Sequence, residues 1–135
     1  MKYLLDSNTC IQLLNQDNAR MTQRYRACQP VDIAMCSVVR AELLYGARRS
    51  ARVDFNLRRL EIFTAPLQSV PFDDRCAHDY GLIRAELAAQ GKPIGANDLL
   101  IAATARAHDL TLVTHNTDEF SRVAGLRIED WKSPR

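Results

Sequence analysis

Short apolar runs alternate with longer segments of helical period along the whole chain, and no other feature restricts the fold as much. Met1–Leu5 reads as a short strand that ends at Asp6. Residues 8–27 read as helical, with a break signal at Asp17-Asn18. Pro30 marks a turn before a second strand at Val31–Met35, and Ser37 is placed to cap a helix running through Arg48. Arg52–Phe63 is a further helix, ended by Pro66, with a strand at Leu67–Val70. Asp73 or Asp74 opens a longer helix to about Gln90, in which Cys76, Tyr80, Ile83 and Leu87 recur on one face. Gly91 and Pro93 stop it. A helix over 98–108 follows, apolar nearly all round, then the strand "LTLVT" and a last short strand within "LRIEDW". This order predicts a three-layer α/β/α sandwich with a mainly parallel central sheet. In such folds the functional crevice lies at the carboxyl ends of the strands.

A chain of 135 residues with 47% hydrophobic and 25% charged residues suits one soluble domain spanning 1–135. No apolar run approaches the roughly 18–20 residues of a membrane span. The opening "MKYLLDSN" is too short an apolar stretch for a signal peptide, so a cytoplasmic location is expected. Cys10, Cys28, Cys36 and Cys76 form no CxxC or CxxxxC pair, and no histidine sits at ligand spacing from them. Free thiols are expected, and a thiolate zinc site is not. Charge is unevenly spread: residues 20–59 hold nine arginines and three acids, whereas the remainder is net acidic. A basic flank beside an acidic remainder suits a polyanionic ligand held near a carboxylate-bound metal, or simply a solvated arginine-rich helical face.

Four acidic positions fall where the crevice should be. Asp6 leaves the first strand, where it could also serve as an Asx-turn or helix cap. Glu42 lies in the helix after the second strand, among Ala41, Leu43 and Leu44, and could equally be a solvated pairing group. Asp98 stands at the mouth of the buried helix, where the helix dipole favours a carboxylate. Asn97 beside it is an equally good cap, which leaves Asp98 available for another task. "VTHNTDEF" places Asn116, Asp118 and Glu119 after the strand "LTLVT". Oxygen ligands without His or Cys suit Mg²⁺ or Mn²⁺, and carboxylates packed together require either a cation or a raised pKa.

"LLDSNTCIQLL", "SVVRAELLYGARRS", "IRAELAAQGKPIGANDLLIAATARAHDLTLVTHNTDEF" and "GLRIEDW", in this order and over nearly the whole chain, resemble the PIN-domain ribonuclease toxins of VapC type. The resemblance implies a PIN fold, a Mg²⁺ or Mn²⁺ cofactor, endonucleolytic cleavage of RNA and neutralisation by a VapB-type antitoxin. It implies Asp6, Glu42 and Asp98 as metal-binding and catalytic acids. Where many PIN domains carry a fourth acid this chain has Asn116, which would hold a water or substrate unless Asp118 or Glu119 substitutes for the acid. Ser7 and Asn8 occupy positions of supporting polar groups, and Glu86 is a further residue to place near the site. The implied reaction is in-line attack of water on the scissile phosphorus, leaving 5′-phosphate and 3′-hydroxyl ends. Arginines of the basic stretch, Arg24, Arg48 and Arg49 among them, would position the RNA backbone. A tRNA anticodon loop, initiator tRNA first, is the implied substrate, and a homodimer within a toxin–antitoxin complex the implied assembly. Leu43, Leu44 and Tyr45, with the helix at 52–63, could form a groove for a partner helix or belong to the core.

Two other α/β classes fit less well. A haloacid-dehalogenase-like phosphatase needs a second Asp two residues after the first, where this chain has Asn8. A receiver-like signalling domain needs a Lys after a late strand, and Lys2, Lys92 and Lys132 do not supply one. A metal-free route through the RNA 2′-hydroxyl would need paired acid–base groups, whereas His78, His108 and His115 sit on unrelated elements.

Overall fold

In the computed structural model, which describes residues 1–134, five short strands form one parallel sheet. They are β1 (Tyr3–Leu5), β2 (Ile33–Cys36), β3 (Gln68–Val70), β4 (Thr111–Val113) and β5 (Ile128–Glu129), in the spatial order β3-β2-β1-β4-β5. Tyr3 pairs with Ile33 on one side and Thr111 on the other, Cys36 pairs with Val70, and Val113 pairs with Glu129. Leu4, Leu5, Ala34, Met35, Leu112 and Val113 are inaccessible to solvent. Central parallel strands are covered on both faces, so near-continuous apolar runs are what they require. The helices that cover them are α1 (Ser7–Asn15), α2 (Ala19–Ala27), α3 (Ser37–Arg48), α4 (Val53–Thr64), α5 (Asp74–Ala89), α6 (Ala96–Ala107) and the short α7 (Thr117–Phe120). Arg135, the last residue of the expected 1–135 domain, lies outside the described residues.

The sheet order locates the crevice. The chain lays down β1, then β2, then β3 in one direction, and β4 returns to the opposite side of β1. The reversal falls between β1 and β4, the topological switch point where open α/β sheets bind ligands. Asp6 leaves β1 there, its N–H donating to the Val113 carbonyl at 3.2 Å, and Thr114–Asn116 leave β4 beside it.

Several element ends differ from the sequence expectation, each for a local reason. The break expected at Asp17-Asn18 is present and divides residues 8–27 into two helices. Gln16 turns left-handed at φ 53° to end α1, and the Asn18 side chain caps α2 by accepting the Met21 N–H at 3.0 Å. Pro30–Asp32 forms a 3-10 turn, which shifts the second strand to Ile33–Cys36. Ser37 caps nothing. β2 runs straight into α3, so Cys36 takes the cap position and Ser37 is the first helical residue. Asp73, not Asp74, caps α5 by accepting the Cys76 N–H at 3.1 Å. Gly91, at φ +67°, closes α5 with its N–H on Ala88 and the Lys92 N–H on Leu87, a turn that favours glycine. The next helix begins at Ala96 with Gly95 in the cap position, so Asn97 lies inside the first turn and does not cap it.

α5 and α6 pack along each other as a hairpin joined through residues 90–95. In α6, Leu99, Ile101, Ala102, Ala103, Thr104 and Ala105 are all buried, as a helix apolar on every side requires. Its one buried hydroxyl, on Thr104, donates to the Leu100 carbonyl at 2.8 Å. No helix among the described residues is long and apolar enough to cross a membrane.

Candidate active site

Asp6 is buried, and its Oδ1 accepts the Thr9 N–H at 2.9 Å, capping α1. Thr9 in turn donates its hydroxyl to the Val113 carbonyl at 3.2 Å, which ties the ends of β1 and β4 together beneath the carboxylate. Asp6 is therefore a cap, but the cap occupies only one of its oxygens. Asp98 sits in the first turn of α6. Glu119, on α7, is held from two sides. Its Oε1 accepts the Gly95 N–H at 2.8 Å and its Oε2 accepts from Asn116 Nδ2 at 2.6 Å. Glu42, on α3, is half-buried, and its Oε1 is enclosed with no hydrogen-bond partner among the described residues.

These acids feel one another. Asp98 is pushed up to about 6, first by burial, then by the charge of Glu119 and a hydrogen bond shared with it, then by Asp6 and Glu42. Glu119 moves the other way, lowered by its bonds from Asn116 and Gly95. The proton between the two therefore resides on Asp98. The helix dipole at the start of α6 favours the ionised form, so burial and three neighbouring carboxylates outweigh it. Asp6, Glu42 and Glu119, each from a different segment, thus lie close enough to act on Asp98, and Glu119 also shares a hydrogen bond with it. A buried, unpartnered Glu42 oxygen and a carboxylate whose pKa is raised by burial and by its neighbours are both compatible with a small hard cation. Gly95 lies against both groups: a Cβ there would be in ordinary contact with Asp98 Oδ2 at 3.5 Å and Glu119 Oε1 at 3.8 Å.

The chain matches the PIN domain family over residues 3–126. It is 41% identical over 131 residues to the tRNA(fMet)-specific endonuclease VapC of Shigella flexneri, covering 97% of this chain and 98% of that protein. This chain belongs to the VapC family of PIN-domain ribonucleases. Its structure superimposes on DNA-bound VapBC from Salmonella typhimurium with a TM-score of 0.92 at 37% identity, over 97% of this chain and 98% of that one. VapBC2 from Rickettsia felis bound to a promoter DNA fragment gives 0.90 at 38% identity, over 97% of this chain and 99% of that one. The α/β/α sandwich expected from the sequence is the PIN fold of these proteins.

Within this PIN domain the other expected positions sort by environment. Asp118 points away, its side chain 97% exposed and paired with Arg122 at 3.6 Å. Of the three residues considered for the fourth acidic position, Glu119 stands beside Asp98 and Asn116 braces it. Ser7 Oγ, next to Asp6 in the chain, is enclosed without a hydrogen-bond partner among the described residues, and Asn8 is exposed. Glu86 is not among the acids; it lines a shallow crevice with Arg106 and Arg122. Arg24 donates to the Asp130 carbonyl at 2.6 Å, which spends its guanidinium inside the fold, whereas Arg48 and Arg49 are exposed at the end of α3. Arg59, which the sequence did not single out, shares a groove with one of the acids. With Glu42, Ile11, Leu14 and Leu60 it lines a groove of about 310 Å³, and it is anchored by donating to the Leu14 carbonyl at 2.7 Å. Leu43 belongs to the core, while Leu44 and Tyr45 are exposed.

Proposed function

We propose that this chain is a divalent-cation-dependent endoribonuclease toxin that cuts structured RNA. The convergence of Asp6, Glu42, Asp98 and Glu119 at the β1/β4 switch point carries the reading. Asp6, Glu42 and Asp98 hold the cation, with Mg²⁺ or Mn²⁺ matching their oxygen-only donors. Bound there, such a cation neutralises phosphate charge and makes water a better nucleophile at neutral pH. Glu119, kept ionised by Asn116 and the Gly95 N–H, accepts the proton of the attacking water. The new O–P bond forms in line with the bond to the 3′ oxygen, which breaks, so the products carry 5′-phosphate and 3′-hydroxyl ends. Arg48 and Arg49, exposed at the end of α3, hold the RNA backbone without reading its sequence.

The 41% identity to a tRNA(fMet)-specific endonuclease makes the anticodon loop of initiator tRNA the first substrate to test. Splayed loop bases are the part of an RNA a protein can read. We further propose a VapB-type antitoxin as the neutralising partner, homodimeric toxin within that complex, and action in the cytoplasm. The matched VapBC complexes support the partner. The test is expression of the wild type and of Asp6→Asn, followed by sequencing of cleaved RNA ends. Cuts in one tRNA loop that vanish in the variant are expected. Equal cutting by both would remove Asp6 from the reaction.

A further inference from the structure

At the other end of α6, ten residues or about 15 Å from Asp98, a second set of ligand-type side chains meets. Asp73, Cys76 and His108 each offer one atom, and the three atoms lie within 4.8 Å of one another. They come from two helix ends: Asp73 is the cap of α5, Cys76 lies in its first turn, and His108 is the cap residue ending α6. Asp73 Oδ1 is spent on the Cys76 N–H, but Oδ2 faces His108 Nε2 at 3.4 Å. That separation is close to the edge of a tetrahedron around Zn²⁺, about 3.3–3.4 Å for bonds of about 2.0–2.1 Å. Cys76 is fully buried, and His108 Nε2 is enclosed without a hydrogen-bond partner among the described residues. Asp73, with its side chain 39% exposed, leaves a way in from solvent. The neighbouring cation, Arg75, is turned aside onto the Ala107 carbonyl at 2.6 Å.

We propose that Asp73, Cys76 and His108 form a zinc-binding site, separate from the catalytic acids, that clamps the start of α5 to the end of α6. Thiolate with imidazole selects Zn²⁺ over the hard cations suited to Asp6, Glu42 and Asp98. Binding forms a sulfur–metal bond and releases the Cys76 thiol proton to water. The fourth position falls to a water or to the Pro71 carbonyl, 3.8 Å from Cys76 Sγ. The clamp would stiffen the hairpin whose far end carries Asp98.

The test uses the full chain carrying Asp6→Asn and Asp98→Asn, so that the catalytic acids do not compete for metal, stripped by chelation and titrated with Co²⁺ and then Zn²⁺. One equivalent of Co²⁺ is expected, with a thiolate-to-cobalt absorption band and the intense visible bands of tetrahedral geometry, both displaced by Zn²⁺. His108→Gln should weaken Zn²⁺ binding at least tenfold. Asp73→Asn should weaken it while keeping the α5 cap, because Asn caps as well as Asp. Cys76→Ser should abolish the thiolate band; if it fails to fold, the other two variants decide. Absence of the thiolate band in the folded parent would overturn the proposal, as would unchanged Zn²⁺ affinity in His108→Gln.

Discussion

Asp98 carries the electrostatic tension of the molecule. Its carboxyl is raised from 3.8 to about 6, and the sign of the consequence is fixed by linkage. Between those values the folded chain keeps a proton that the unfolded chain has released, so the metal-free protein loses stability as pH rises through that window. After discounting for the group's partial exposure, the loss is about 1 kcal/mol, or roughly 3–5 °C in Tm. Thermal melts of parent and Asp98→Asn across pH 4 to 7.5 should show the parent falling relative to the variant, with Mg²⁺ or Mn²⁺ restoring the parent. A parallel decline in the variant would place the effect elsewhere. Glu119, whose pKa is lowered, acts in the opposite sense at lower pH, below the window in which Asp98 titrates. Asp6→Asn should leave stability nearly unchanged, since an Asn oxygen can still accept the Thr9 N–H. At this scale Asp6, Glu42 and Asp98 are legible in the sequence, because each follows a recognisable strand or helix start. The choice between Asp118 and Glu119 is not. One residue is about 100° of helical rotation, and only the packed orientation of α7 decides which carboxylate faces Asp98 and which faces Arg122.

At the scale of elements, the site depends on α6 and α7 being held in register. Asn116 fixes Glu119 through one 2.6 Å hydrogen bond. Asn116→Ala should therefore lower kcat about tenfold with little change in Tm, and the lowered pKa of Glu119 should move back toward its ordinary range. A pH–rate profile of the variant shows whether its acidic limb moves up. α6 has small residues where it is enclosed, and Ala102→Leu should cost about 1–3 kcal/mol by overpacking, measured by urea denaturation. The alternation of strand and helix gave the layers and the parallel sheet directly. The ends of elements were less legible. Ser37 and Asn97 are good capping types by propensity, yet β2 feeds α3 without a turn and α6 starts at Ala96, so neither has a free N–H to cap. Cys76 and His108 are 32 residues apart, and only closure of the α5–α6 hairpin brings them together.

For the whole molecule, the proposed function assigns the holding of a polyanion to the basic stretch at 20–59 and its cutting to the acidic cluster. Not all of that charge is available, since Arg24 and Arg59 also anchor backbone carbonyls. Exposed Arg48 and Arg49 should therefore carry much of the salt dependence. Arg48→Ala with Arg49→Ala should flatten the slope of log affinity against log salt by about one to two units for RNA, read by filter binding of uncleaved substrate to the Asp98→Asn protein. The central claim is that the acids at the β1/β4 switch point cut RNA with a divalent cation. Its most direct test is purified protein on initiator tRNA, with and without Mg²⁺, beside Asp6→Asn and Asp98→Asn. Cleavage in the anticodon loop with 5′-phosphate and 3′-hydroxyl ends is expected, lost on chelation and reduced at least a hundredfold in both variants. Undiminished cleavage in the chelated sample or in both variants, or a cyclic phosphate on the product, would contradict it.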